Sequence, residues 1–192
     1  AEGFQRTHDR KKYLLRMLVF ALISEIPFNY LYYSSPVFPF HQNVMFTFFI
    51  ALLLMLGLEK VRSKGMGMYI LAAVLSLPVG YFLGTIGMVD YYGSGVVTVL
   101  IFYLCRQIPH GWIGEVAGLA FLNCKLLGGM TIPLTLGSWT LEFPEQGLAL
   151  LALIPIWLYN GRQGAHNKAI QYACYAFYPA HMLILALLRM YL

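Results

Sequence analysis

Two ionisable side chains, Glu25 and His181, lie inside long apolar stretches of the sequence. Counted at about 1.5 Å per residue, each is roughly 16–18 Å from the start of its stretch. An ionisable group at that depth in a bilayer costs a few kcal/mol, about 2.5–3.5 on insertion scales, and usually has a function. A carboxylate or a neutral imidazole can accept a proton, so both are candidates for acid–base catalysis. The alternative for each is a structural group that only hydrogen-bonds another helix.

A proline stands two residues from each of these groups, Pro27 after Glu25 and Pro179 before His181. Proline removes a backbone donor and opens the helix one turn back, which makes room for a polar cavity. Tyr178 adds a hydroxyl beside His181. The sequence therefore predicts polar cavities inside the apolar stretches.

Other polar residues stand where apolar stretches begin. Asn43 opens the second stretch, with Thr47 one turn later on the same helix face. Asn43 is either a helix N-cap or a hydrogen-bond donor in a site. Asp90 opens the fourth stretch and is either a functional group, a helix cap or a solvated carboxylate. Glu115 opens the fifth stretch and is expected to be solvated.

A short loop over residues 159–168 is rich in donors. Asn160 and Gly161 form a turn signal. Arg162 and Lys168 are suited to holding a phosphate group, because cations of both kinds pair with phosphate oxygens. The alternative is a plain basic loop on the cytoplasmic side of a membrane.

The composition of the chain predicts which secondary-structure elements position these residues. The chain is 59% hydrophobic and only 11% charged, against about 25% charged in average soluble domains. A bilayer is therefore its solvent, and there every backbone polar group needs a partner within the protein. The apolar runs lack the alternation of barrel strands, so the fold class is all-α, a polytopic bundle of about seven transmembrane helices. The predicted spans are 13–33, 43–58, 66–84, 91–106, 111–131, 146–159 and 170–191.

The distribution of basic residues orients this bundle. Five lie before or at the start of the first span, three follow the second, one follows the fourth and two follow the sixth, which is eleven of the 13 in the chain. The alternate loops 34–42, 85–90 and 132–145 hold no Lys or Arg. Because cytoplasmic loops collect Lys and Arg, the N-terminus is predicted to be cytoplasmic and the C-terminus to lie on the far face. Cations confined to short juxtamembrane loops also exclude a nucleic-acid-binding protein.

The remaining features are uniform along the chain. The three cysteines show no metal or redox spacing. No internal repeat, soluble module or low-complexity stretch is evident, so residues 1–192 are interpreted as a single membrane domain.

Five stretches of the chain resemble the TraX family of membrane proteins, in the family's order and over essentially the whole chain. ISEIPF and the LYNG…FYPAH pair are the specific parts of the resemblance. The matching stretches are ALISEIPFNY (21–30), NVMFT (43–47), DYYGSGV (90–96), ALIPIWLYNGRQG (152–164) and YAFYPAHMLIL (175–185).

The resemblance implies a multi-pass protein of the bacterial inner membrane that transfers an acetyl group from cytoplasmic acetyl-CoA. The acceptor would be an amine or hydroxyl, such as the N-terminus of a pilin or another exported subunit. It also implies that two helices of the family, one with an Asp-His pair, precede Ala1. His181 or that pair would be the base, Glu25 would orient the histidine or the acceptor amine, and Asn43 and Tyr178 would donate hydrogen bonds. The residues expected to hold acetyl-CoA are Arg16, Asn160, Arg162 and Lys168.

Two other functions compete with this one. A non-enzymatic assembly factor for pilin or another exported subunit would use the buried polar groups for helix packing only. A transporter or channel would show repeat symmetry and paired broken helices.

Overall fold

A computed structural model describes residues 1–136, 139–162, 164 and 167–191. Three members of the donor-rich loop, Gln163, Ala165 and His166, lie outside the described residues. The chain divides into two compact units, Ala1–Leu100 with Gln163–Leu192, and Ile101–Arg162. The single membrane domain over residues 1–192 stays a prediction.

The regular secondary structure of the described residues is helical apart from one β-hairpin and an isolated bridge between Gln42 and Val89. The elements that begin in the first unit are α1 (Glu2–Arg6), α2 (Arg10–Tyr33), α3 (Val44–Arg62), α4 (Met66–Ile86), α5 (Tyr92–Cys105) and α8 (Lys168–Tyr191). The second unit contains α6 (Gly111–Phe121), a π-helix (Leu122–Leu126), β1 (Thr131–Leu136), β2 (Trp139–Pro144), a 3₁₀-helix (Glu145–Ala152) and α7 (Leu153–Leu158).

Each predicted span contains a helix, and four helices are long and apolar enough to cross a membrane: α2, α3, α4 and α8. The helices at Tyr92–Cys105 and Glu145–Leu158 are shorter, so the count of seven spans stays a prediction. The predicted end of the fifth span at residue 131 is wrong. There the helix stops at Leu126, and Thr131 begins a strand that pairs antiparallel with β2, from Thr131↔Pro144 to Leu136↔Trp139.

Helices α2 and α8 pack side by side and run in the same direction. In the first half of each helix, the rings of Phe20 and Tyr175 stack with centroids 4.9 Å apart. Near their ends, Arg189 donates a hydrogen bond to the carbonyl of Leu31. Parallel first and last spans agree with the odd number of crossings that the basic-residue pattern requires.

Helix α3 runs antiparallel to α2. Arg10, at the start of α2, forms a salt bridge of 3.3 Å with Glu59 near the end of α3. The start of α2 is capped by Asp9, whose side chain accepts from the backbone N–H of Lys12 at 3.0 Å. That hydrogen bond is the main reason why the pKa of Asp9 is lowered. The cap fixes where α2 begins.

The outer faces of the long helices are apolar. On α4, Ile70 and Phe82 are exposed by 57% and 63%, and only 11% of the most apolar window of this helix is buried. Surface of this kind is unfavourable in water and favourable against lipid tails. It supports the assignment of the chain to a membrane.

Glycines let α4 and α5 approach closely. A Cβ added at Gly84 would lie 2.7 Å from the carbonyl oxygen of Tyr92 and 2.8 Å from the Cα of Gly93. Both are backbone atoms, which move only if the helix moves. The start of α5 therefore packs closely against α4.

Gly84→Ala is expected to destabilise the protein by about 1–3 kcal/mol, because the new methyl group overpacks the α4–α5 contact. The measurement is the melting temperature in detergent. The matched control is Gly57→Ala on α3, where an added Cβ meets no atom within 4 Å. This control should be neutral or stabilising by up to about 1 kcal/mol, from helix propensity alone. Equal effects at the two positions would contradict the close packing.

Candidate functional site

The carboxylate of Glu25 on α2 is bound by Asn43, the N-cap of α3. Its Oε2 accepts from Asn43 Nδ2 at 2.6 Å and from the Asn43 backbone N–H at 3.3 Å. Nδ2 also donates to the carbonyl of Ala21 at 2.9 Å, and Oδ1 caps the helix by accepting from Met45 N at 3.0 Å. Asn43 is fully buried. Asn43 is therefore the N-cap of α3 and also a hydrogen-bond donor to Glu25, and its role in a functional site stays a prediction.

Helix α2 carries unpartnered polar atoms in its buried face. Among the described residues, four buried side-chain atoms have no hydrogen-bond partner: Arg16 Nε, Ser24 Oγ, Glu25 Oε1 and Asn29 Oδ1. All four belong to α2. Each such atom costs about 1–3 kcal/mol when it stays unpaired, so a group of them on one helix marks a place where a ligand or water is expected.

Tyr178 brings α8 into the same site. Its hydroxyl lies near the backbone N–H of Val44, the residue after Asn43, and within electrostatic range of Glu25 and Asp90. We call Glu25, Asn43 and Tyr178 the Glu25 cluster. Three residues predicted as catalytic from separate parts of the sequence thus meet where α2, α3 and α8 come together.

His181 lies one turn beyond Tyr178 on α8. Its ring packs edge-on to Tyr178 with centroids 5.4 Å apart, and its Nδ1 is 2.9 Å from the carbonyl oxygen of Phe177. Because a carbonyl only accepts, Nδ1 carries the hydrogen, and Nε2 is left with a lone pair. Of the three side chains in the Glu25 cluster, the described structure places Tyr178 in contact with His181, and the carboxylate of Glu25 is not among the contacts of His181.

A basic cavity of about 450 Å³ lies at the predicted cytoplasmic ends of α2 and α8. Arg16 is its deepest cation along α2. The Arg16 guanidinium lies beside the hydroxyl of Tyr175, while its Nε is buried without a partner. The cavity is lined by Gly3, Arg6, Thr7, His8, Asp9, Lys12, Tyr13, Arg16, Gln171 and Tyr175. A cavity with this surplus of cations and an open donor is suited to an anion.

The other predicted acetyl-CoA residues are divided between the two units. Lys168 begins α8 in the first unit, and Asn160 and Arg162 belong to the second. The Asn160 side chain accepts from the Arg162 backbone N–H at 3.0 Å, and Gly161 between them has a φ of 72°. The turn predicted from Asn160 and Gly161 is therefore confirmed.

A second polar group was not predicted as a site. The Tyr33 hydroxyl is 2.5 Å from His41 Nδ1, and His41 Nε2 is 3.4 Å from Asp90 Oδ1. Asp90 was expected to be solvated, to cap a helix or to serve a function, and the structure pairs its carboxylate with His41. The signal in the sequence is that both loops involved, 34–42 and 85–90, lack basic residues and so share one face of the membrane.

The expectation that Glu115 is solvated is wrong. Glu115 is buried, and its Oε2 accepts from the indole N–H of Trp157 at 2.7 Å. The ring of Trp157 also packs edge-on to Trp112, with centroids 6.2 Å apart. The partner of Glu115 stands 42 residues away in the sequence, so no local pattern reveals it.

Comparison with known proteins bears on the whole chain. A family model described as "TraX protein" matches residues 1–189. The chain belongs to the TraX family. No curated protein and no solved structure matches it. In this TraX-family chain the matched range contains the Glu25 cluster, His181 and the residues that line the basic cavity.

Proposed function

We propose that this TraX-family protein is a membrane-embedded acetyltransferase that uses cytoplasmic acetyl-CoA. The acceptor is an amine or hydroxyl, with a pilin N-terminus as the first candidate. The observation that carries the proposal is the layout of α2, with a basic cavity at Arg16 and a buried carboxylate at Glu25. The two lie nine residues apart, about 14 Å along the helix. A donor that is anionic at one end and carries a thioester at the other fits this layout.

The cations of the cavity would bind the phosphates of acetyl-CoA. Arg16 offers a fixed fork of donors, one of which has no partner within the described protein. Lys168 would add charge at the start of α8. Arg162 is predicted on the same side of the membrane, and Asn160 accepts from its backbone N–H. The thioester would then extend along α2 toward the Glu25 cluster.

The transfer step needs a base and a donor for the developing oxyanion. The acceptor X–H attacks the thioester carbonyl, and its proton passes to His181 Nε2. The proton then goes to the sulfur of CoA as the C–S bond breaks, so the products are X-acetyl and CoA-SH. Tyr178 is the oxyanion donor, since it supplies the hydroxyl of the Glu25 cluster and packs against the ring of His181.

Glu25 and Asn43 have supporting parts in this scheme. Both hydrogens of Asn43 Nδ2 are committed, one to Glu25 and one to Ala21. Asn43 is therefore a positioning residue that holds the carboxylate, and Glu25 orients the acceptor through its unpartnered Oε1. This division gives Glu25 a larger role in the reaction than Asn43.

Binding of acetyl-CoA to the purified protein in detergent tests the proposal. At 100 times its dissociation constant, a ligand that binds only the folded state stabilises it by about 2.7 kcal/mol, which appears as a raised melting temperature. Radiolabelled acetyl should then reach a peptide acceptor with a free N-terminus. An assembly factor predicts neither effect, and the absence of both protection and transfer would remove the acetyltransferase proposal.

A further inference from the structure

Tyr33, His41 and Asp90 form a hydrogen-bonded series at the far end of α2. Tyr33 is the last residue of α2, His41 precedes α3, and Asp90 lies between α4 and α5. Tyr33 can donate to His41 Nδ1 at 2.5 Å. This fixes the hydrogen of the neutral ring on Nε2, which faces the Asp90 carboxylate at 3.4 Å. We call these three residues the Tyr33 triad.

The loops that carry the Tyr33 triad are tied together by the backbone. Gln42 N donates to the carbonyl of Met88 at 2.8 Å, and Asp90 N donates to the carbonyl of Gln42 at 2.9 Å. Thr47 of α3 donates its hydroxyl to the Asp90 carbonyl at 2.9 Å. His41 and Asp90 are therefore held in place by contacts that do not involve their own side chains.

The Asp90 loop is also strained. Met88, Tyr91 and Tyr92 all have positive φ, between 49° and 59°. A non-glycine residue in this region costs of order 1–3 kcal/mol, and such residues cluster at functional sites. Three residues with positive φ within five consecutive positions give the loop the bend that holds Asp90 against His41.

Aromatic rings enclose the polar groups on several sides. Phe38 stacks on Tyr33 with centroids 3.7 Å apart, Phe28 packs edge-on to His41 at 5.2 Å, and Tyr92 stacks on His41 at 6.4 Å. The side chains of His41 and Asp90 remain 24% and 28% exposed. The site is thus partly dry but open to a small reactant.

We propose that the Tyr33 triad is a nucleophilic site, in which Tyr33 takes an acyl group at the extracytoplasmic end of the protein. A hydroxyl bonded to a base that a third group orients is the arrangement of an activated nucleophile. For its natural acyl donor this inference rests on the proposed acetyl transfer. The triad would carry the acetyl group on its way to an acceptor on the far face.

The chemistry is a pair of balanced acyl transfers. The Tyr33 oxygen attacks the acyl carbonyl while His41 Nδ1 takes the phenolic proton, and Asp90 stabilises the resulting imidazolium. The imidazolium returns the proton to the leaving group, which leaves an O-acetyl tyrosine. An acceptor X–H then attacks this ester, and its proton passes through His41 to the Tyr33 oxygen.

An activated ester tests the triad without CoA. The full chain in detergent is incubated with p-nitrophenyl acetate, the release of nitrophenolate is followed, and the acetyl group is located by peptide mass spectrometry. We expect a burst with acetyl on Tyr33, loss of the burst in Tyr33→Phe, and a rate about 100-fold lower in His41→Asn. Asp90→Asn should also slow the burst.

Two matched controls separate chemistry from misfolding. Tyr32→Phe changes the neighbouring, exposed tyrosine, and His110→Asn changes a histidine of the second unit. Both should keep the burst, and Tyr33→Phe should keep the wild-type melting temperature because its ring still stacks on Phe38. Acetylation spread equally over Tyr32 and Tyr33, or a burst unchanged in His41→Asn, would overturn the inference.

The acetyl-CoA assay distinguishes this inference from the proposed function. A His41-dependent burst at Tyr33 in a protein that neither binds nor uses acetyl-CoA would support the triad and remove the acetyltransferase proposal. Acetyl-CoA turnover that continues at the wild-type rate in Tyr33→Phe would overturn the triad and leave the acetyltransferase proposal standing.

Discussion

Glu25→Gln is expected to lower the kcat of acetyl transfer by about 100-fold, because the acceptor loses the hydrogen-bond partner that orients it and a misplaced reactant can cost a factor of this size. The substitution should leave the fold intact. Glutamine keeps an oxygen that can accept from both Asn43 N–H groups, so the link between α2 and α3 survives. The measurement is turnover of radiolabelled acetyl-CoA by protein that has inserted into the membrane at the wild-type level.

Glu25→Ala separates the chemical role of the carboxylate from its structural role. Alanine leaves the Nδ2 and backbone donors of buried Asn43 without their acceptor, at a cost of about 1–3 kcal/mol for each unpaired group. The alanine variant should therefore lose both activity and stability, whereas the glutamine variant loses activity alone. Glu142→Gln on the exposed β-hairpin is the matched control. If Glu25→Gln turns over normally, Glu25 has only the structural role.

His181→Ala extends the same comparison to α8. If His181 Nε2 is the base, its removal should lower kcat by a factor similar to that of Glu25→Gln, with little change in stability, because His181 is only partly buried and bonds its own helix. A much smaller effect would assign the base role to another group. Tyr178→Phe would then show whether the hydroxyl beside it contributes separately.

The helices were predictable because membrane spans leave a strong local signal. A run of apolar residues can be recognised without knowing what it packs against. The second span was predicted to begin at residue 43, and α3 begins at Val44. The hairpin over Thr131–Pro144 was missed because the prediction relied on long apolar runs, which do not distinguish a short strand from the end of a helix. Its strands are short and apolar, so against an apolar background their alternation gives little contrast.

Functional residues could be predicted from the sequence only where a single residue is unusual among its neighbours. A charge such as Glu25 is unusual in any apolar run, whatever lies opposite. The link between His41 and Asp90 is different, because the two stand 49 positions apart in loops that each look like ordinary turns. Their pairing depends on the register between the start of α3 and the α4–α5 loop, which the backbone hydrogen bonds of Gln42 with Met88 and Asp90 set. The hydrogen bond between Glu115 and Trp157 in the second unit could not be predicted for the same reason, because its partners are also far apart in the sequence.

Arg16→Gln is expected to raise the KM for acetyl-CoA by about 10- to 100-fold with little change in kcat. A hydrogen bond to a charged group contributes about 1.5–3 kcal/mol, and about 1.4 kcal/mol corresponds to a factor of ten. The buried and unpartnered Nε of Arg16 makes this the cation with the most to gain from a phosphate. The measurement is steady-state kinetics over a range of acetyl-CoA concentrations.

Two further variants show whether Arg16 acts by charge or by geometry. Arg16→Lys keeps the charge but loses the planar fork, so its KM should fall between those of the wild type and Arg16→Gln. Tyr175→Phe removes the hydroxyl that lies beside the guanidinium and should raise KM by a smaller factor. Lys64→Gln removes an exposed cation from the turn between α3 and α4, on the same predicted face, and should leave KM unchanged. Equal shifts for Lys64 and Arg16 would mean that the general positive potential of this face, and not the basic cavity, attracts the donor.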